Sequence, residues 1–300
     1  QLADLNTNAH LGERDLFALE ADEAFGTFAD LHLAALVVTN VEADHLDHYG
    51  TGEAVLEAFT RVAEGVEGPV VACLDDPGAR RMVEAVPGVV GYGLDPAAAW
   101  RLEAVACRPA SVSFSLVHGG ARVPVVVPRP GLHVARNAAG ILCLLGELGL
   151  DVAGAAAGLG SFGGVRRRFE VRARIGGVTV VDDYAHHPTE VAATIAAARV
   201  GEPRRLVAVF QPHRFSRTAE QADRFGEALA AADRVVVTDV YAAGEAPVPG
   251  VSGKLVADAA ASGGTVVDYV PRRSDLARAL AADARPGDLV LLMGAGDITL

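Results

Sequence analysis

Side chains able to hold protons, metals or anions crowd into four short stretches of this 300-residue chain. The densest is Asp182-Asp183-Tyr184-Ala185-His186-His187-Pro188-Thr189-Glu190, directly after an apolar run. Pro188 fits the first position of a helix, with His187 as its N-cap and Glu190 in its first turn. A strand end, a short polar loop and a helix N-terminus make an anion site by geometry. Two aspartates, a tyrosine and two histidines in six residues exceed what capping needs, so the stretch reads as functional. The second stretch is Gln211-Pro212-His213-Arg214-Phe215-Ser216-Arg217-Thr218, again beyond an apolar run. Arg214 and Arg217 are three apart, so a helix starting here puts both guanidiniums on one side, as a fork for phosphate or carboxylate. The third runs from Thr39 and Asn40 through Glu42, Asp44, His45 and Asp47 to His48. His45, Asp47 and His48 have a spacing that suits zinc, though Ala43 stands where a further histidine would be needed. The fourth, Glu20-Ala21-Asp22-Glu23, offers oxygen ligands for a hard cation such as Mg²⁺.

All four stretches follow runs of buried-strand type, so the elements around them set their positions. In the first half, 16–19, 33–39 and 70–74 read as strands and 53–64 and 77–85 as helices, a βαβ rhythm. Between 100 and 127 the pattern changes to period two and turns at His118-Gly119-Gly120, as antiparallel hairpins do. Helices are expected at 133–150 and 152–159. Ser161-Phe162-Gly163-Gly164, ahead of three arginines, is the expected domain boundary, dividing 1–163 from 164–300. Beyond it, Gly176-Gly177 marks a hairpin between 171–175 and 178–182, and helix and strand signals then alternate to 293. The expected fold class is α/β, with two doubly wound, mostly parallel-sheet domains whose ligands lie at the carboxyl ends of the strands.

With 51% hydrophobic and 21% charged residues, the composition excludes disorder and a coiled coil. A formal charge of −12 argues against nucleic acid, which needs a clustered basic surface. No uncharged run approaches the roughly 20 residues of a membrane span, and a cytoplasmic protein is expected. Cys73, Cys107 and Cys143 stand singly, without metal or disulfide spacing, and read as core residues. Lys254 is the only lysine, an arginine bias that GC-rich codons explain without function.

In the order Glu-Ala-Asp-Glu (20–23), Thr-Asn-x-x-x-Asp-His (39–45), Gly131/His133/Asn137, Arg-Arg-Phe-Glu (167–170), the 182–190 and 211–218 stretches, Asp239 to Glu245, and Gly294-Ala-Gly-Asp-Ile298, the chain resembles the Mur ligases. The resemblance spans nearly the whole chain. It implies the family's central and C-terminal domains and ATP-driven amide synthesis in peptidoglycan precursor assembly. The lactyl carboxylate of UDP-N-acetylmuramate would take the γ-phosphoryl group, and the amine of L-alanine would displace phosphate from the resulting acyl phosphate. Carried over by position, Glu20 and His45 look like Mg²⁺-site residues, and Asn137, Arg168 and Asp183 like nucleotide contacts. His186, His213, Arg214 and Arg217 look like residues facing the muramyl substrate or alanine, with His45, His186 and Arg214 closest to the chemistry. Val134 stands where the family carries a second asparagine. No G-x-x-x-x-G-K-[ST] loop occurs in the sequence. The resemblance implies that this loop and a UDP-binding domain precede Gln1, so the chain is expected to be a truncated, inactive form. Two alternatives stay open: a murein tripeptide recycling ligase of the same family, and a zinc metallohydrolase built on His45, Asp47 and His48.

Overall fold

Alternating apolar runs and helix signals build one six-stranded sheet in each half of the chain. The structure is a computed structural model that describes residues 1–11 and 16–299. The first half contains β1 (Leu36–Val38), α1 (Leu46–Tyr49), α2 (Gly52–Glu64), β2 (Val70–Cys73), α3 (Pro77–Ala85), β3 (Val90–Gly93), β4 (Trp100–Arg108), β5 (Ser111–His118), β6 (Ala121–Val127), α4 (Leu132–Glu147) and α5 (Val152–Leu159). Its strands follow in chain order, parallel from β1 to β4 and antiparallel from β4 to β6. The second half contains β7 (Glu170–Ile175), β8 (Val178–Asp183), α6 (Pro188–Arg199), β9 (Arg205–Phe210), α7 (Phe215–Leu229), β10 (Arg234–Val237), α8 (Gly253–Ser262), β11 (Val266–Tyr269), α9 (Arg273–Asp283) and β12 (Asp288–Met293). Their order is β11-β10-β9-β12-β8-β7, parallel except for the β7–β8 hairpin. Both two-residue turns, Gly119-Gly120 and Gly176-Gly177, have positive φ at each position, the backbone of a primed hairpin turn that a Cβ disfavours. The expected α/β class with two mostly parallel sheets is what forms.

Each sheet carries its own core. Val71, Cys73, Tyr92, Trp100 and Leu102 pack under Ala135, Ala139, Leu142 and Cys143 of α4, while Val38, Val70 and Ala72 face Val55, Ala79 and Met82 on the other side. In the second half, Val181, Leu206, Phe210, Val237 and Leu291 meet Ile195, Phe225, Leu229 and Val256 of α6, α7 and α8. Val207, Val209, Val236 and Val290 on the opposite face meet Leu276 of α9 and Ile298. Among the described residues, no helix is long and apolar enough to cross a membrane.

One expected element is absent. Residues 16–19 form no strand, and Leu16, Phe17 and Leu19 are 60%, 88% and 55% exposed. An apolar run becomes a strand only beside a neighbour that takes its backbone hydrogen bonds, and among the described residues β1 has a neighbour on its β2 side alone. Elsewhere the differences are at ends: the 33–39 strand shrinks to Leu36–Val38, and the 133–150 helix stops at Glu147, just before Gly149 with φ +71°.

Candidate active site

The carboxyl ends of β8, β9 and β10 set three polar loops side by side. Asp183, the last residue of β8, is turned inward and accepts the N–H groups of Phe169 and Ala185, both at 2.8 Å. Burial raises its pKa. Asp182, also buried, lies 3.5 Å from Arg167 Nε. Arg167 and Arg168 stand 5.0 and 5.5 Å from the Tyr184 ring centre, and Arg168 reaches Glu190 at 3.4 Å. Glu190 accepts the N–H groups of His186 at 2.9 Å and His187 at 3.1 Å, which closes the N-terminus of α6 from its first turn. Burial alone would raise the Glu190 carboxyl, but its hydrogen bonds with His186 and the nearby Arg168 charge hold it down at about 2.

The loop after β9 carries His213, whose ring stacks on Tyr241 at 5.6 Å and lies 5.6 Å from the His186 ring. Burial, with the cations of Arg217 and Arg214 nearby, pushes His213 down to about 4, so it is a neutral ring near pH 7. Arg214 caps the start of α7, and Arg217 sits in its first turn, 5% exposed. Both guanidiniums reach the segment after β1, Arg217 its loop and Arg214 the short helix α1, as their spacing predicts for one side of a helix. Arg217 Nη2 lies 2.9 Å from both carboxylate oxygens of Asp44, and Arg214 holds Asp47 at 2.8 and 3.4 Å. Burial would raise Asp44, yet the Arg217 charge holds it below the usual carboxylate range. Glu42 takes the Thr189 hydroxyl at 2.8 Å and lies 3.5 Å from His187 Nδ1. The cavity left among Asp44, His45, Asp47, Arg214 and Arg217 measures about 10 Å³, so an anion entering these forks must displace the two aspartates. Strain gathers here too: His45, Arg167, Phe169, Arg214 and Ala243 all adopt positive φ without being glycine.

His45 faces the acidic segment before β1. Its Nε2 lies 4.0 Å from Glu23 and 3.9 Å from Asp44, and one ligand atom from each of Glu23, Asp44 and His45 falls within 4.8 Å of the others. Two carboxylates suit a hard cation such as Mg²⁺, which takes oxygen ligands and keeps several waters. Glu20 is exposed and stands outside this group. The spacing that suggested zinc does not gather its residues: Asp47 turns to Arg214, and His48 packs its ring 4.7 Å from that of Tyr49. Asn137 is exposed on α4, the helix that packs against α6, and one turn before it His133 Nδ1 is buried without a partner.

Arg168, Asp183, His186, His213, Arg214 and Arg217 thus share one edge of the second sheet, with His45 opposite. Glu23, Asp44, Glu42 and Glu245 complete the arrangement. They lay within motifs visible in the sequence, but no local spacing could show that Asp44 and Asp47 meet arginines 173 and 167 positions away.

Comparison with known proteins follows the same two halves. The Mur ligase middle domain matches residues 5–145, and the Mur ligase, glutamate ligase domain matches residues 167–296. The UDP-N-acetylmuramate--L-alanine ligase of Cutibacterium acnes is 44% identical over 307 residues, covering 100% of this chain and 65% of the relative. That of Kineococcus radiotolerans is 48% identical over 291 residues, covering 94% and 61%. The chain therefore spans less than two thirds of the length of these relatives. Among solved structures, UDP-N-acetylmuramate-alanine ligase MurC from Thermotoga maritima superposes with a TM-score of 0.72 at 29% identity, covering 90% of this chain and 58% of that one. A murein peptide ligase from Psychrobacter arcticus shares the fold, with a TM-score of 0.61 at 21% identity and coverage of 90% and 56%. With two family domains matched in sequence, and the paired sheets and the loops between them in place, the chain belongs to the Mur ligase family.

Proposed function

We propose that this chain forms the central and C-terminal parts of a cytoplasmic ligase that uses ATP to join L-alanine to the lactyl carboxylate of UDP-N-acetylmuramate. The observation that carries the reading is the pair Arg214 and Arg217, two anion forks on one side of α7, facing the loop that holds Asp44 and His45. The domain division is proposed between residues 163 and 164, ahead of the hairpin that opens the second sheet. The names and identities of the relatives support the substrate pair.

Such chemistry is positioning and charge neutralisation rather than covalent catalysis by the protein. Arg217 and Arg214 bind the anionic groups of the muramyl substrate after Asp44 and Asp47 move aside. His186 and His213 line the same edge, and the neutral His213 ring can offer one hydrogen-bond donor and one acceptor to the substrate. Arg168, exposed beside Tyr184, and Asp183 are assigned to the nucleotide, with Asn137 at its base. Asp183 acts through the backbone it orders, since both hydrogen bonds it receives are internal. Glu23, Asp44 and His45 would hold Mg²⁺, and Glu20 lies in the same acidic segment as Glu23 but outside that group. When bound, the cation offsets phosphate charge.

The test is phosphate release by the full-length protein. It should require ATP, L-alanine and UDP-N-acetylmuramate together; release that needs a free murein tripeptide instead of L-alanine would move the assignment to the recycling ligase, and no release would reject both.

A further inference from the structure

Glu245 lies in the loop after β10 and has no role in the scheme above. Its carboxylate takes Arg214 Nε at 2.7 Å, the Ser216 hydroxyl at 2.6 Å and the Ser216 backbone N–H at 3.0 Å. Ser216 is the second residue of α7, so Glu245 satisfies an orphan donor of the helix N-terminus that no local side chain caps. The same oxygen that holds the serine hydroxyl fixes one edge of the guanidinium. Arg214 and Glu245 are largely buried, with side chains 17% and 20% exposed. Arg214 itself is held at φ +71° by its N–H bond to Tyr241 O at 2.9 Å and by Thr218, whose N–H and hydroxyl both reach Arg214 O.

The partners of the two arginines differ in origin. Asp44, in the loop after β1, and Asp47, in α1, come from the first half of the chain and occupy the groups that a substrate anion needs. Glu245 comes from the same half as Arg214 and sits on Nε, so the Nη1 and Nη2 edge stays directed across the interface whichever anion it meets. A guanidinium with one edge tied loses less freedom on binding, which favours a bidentate contact.

We propose that Glu245 is a positioning residue, which aims the terminal fork of Arg214 at the anionic group of the muramyl substrate. This rests on the ligase reading, so phosphate release by the unsubstituted full-length protein is measured first; if there is none, both readings fall. In an active protein, Glu245→Gln keeps an oxygen for the Ser216 N–H but loses the charge on Nε. It should raise KM for UDP-N-acetylmuramate about tenfold, the size of one charged hydrogen bond, with KM for ATP and the thermal midpoint unchanged. Glu245→Asp, which keeps the charge, should recover much of the loss. In an Arg214→Ala background, Glu245→Gln should add nothing. An unchanged muramyl KM in Glu245→Gln, or an equal rise with and without Arg214, would overturn the positioning role while leaving the ligase reading intact.

Discussion

Arg217 is the more buried of the two arginines proposed to hold a substrate anion. It is buried, and its carboxylate partner Asp44 is held ionised by it. Arg217→Ala in the full-length protein should weaken apparent binding of the muramyl nucleotide by roughly 2–3 kcal/mol, read as KM, because a desolvated bidentate contact is lost. KM for ATP should hardly move, and an unchanged muramyl KM rejects the role. A second effect at this scale is acid sensitivity. Burial pushes His213 down to about 4, and pushes His133 and His187 below the ordinary histidine value near 6.5. Below about 6.5 the unfolded chain binds protons there that the folded chain refuses, so the stability from neutral rings is complete above that pH and is lost as pH falls toward 4. Thermal scans should show the midpoint dropping between pH 7 and 5. His213→Gln should flatten part of that drop, and an identical pH profile in the variant would show that His213 is not responsible.

Among the elements, α7 shows how closely the second half is packed. A Cβ added at Gly226 would lie 2.6 Å from the Cβ and carbonyl carbon of Ala259 on α8. Alanine gains about 1 kcal/mol of helix propensity over glycine, but overpacking against backbone costs about 1–3 kcal/mol, and here the obstacle cannot rotate away. Gly226→Ala is therefore expected to be net destabilising, measured as a lower urea midpoint with an unchanged slope; a raised midpoint would mean that α8 shifts freely. The start of α7 has the opposite character. Its cap, Glu245, is brought by the loop after β10, so helix and loop depend on each other.

For the whole molecule, the two sheets have separate cores joined by ion pairs and by the contact of α4 with α6. Residues 164–300 alone should fold in one cooperative thermal transition by circular dichroism, since the six strands of the second sheet carry a buried core on each face; a broad, non-cooperative melt would contradict the proposed division. Residues 1–300, which contain no G-x-x-x-x-G-K-[ST] loop, are expected to bind no phosphate tail tightly enough for turnover. Measurable ATP-dependent phosphate release by residues 1–300 would show that another part of the chain cradles the phosphates.

Local signals were enough for most elements. Pro77–Ala85, Val152–Leu159, Pro188–Arg199 and Asp288–Met293 are readable because their caps, prolines and periodic apolar positions are neighbours in the chain. The paired glycines mark both hairpin turns for the same reason, as does the place of Glu190 in the first turn of its helix. The 16–19 run misled because strand formation depends on a partner, and propensity says nothing of one. The motifs with chemistry were likewise visible as clusters, including the side of α7 shared by Arg214 and Arg217. Tertiary structure alone decided that Glu23 rather than Glu20 joins His45, that Asp47 turns to an arginine instead of a metal, and that Glu245 reaches back to cap α7 and tie Arg214. Those contacts join segments far apart in the chain, where chain geometry imposes no spacing rule: the fold of each half brings Glu23 to His45 and Glu245 to Arg214, and the packing of the two halves brings Asp47 to Arg214.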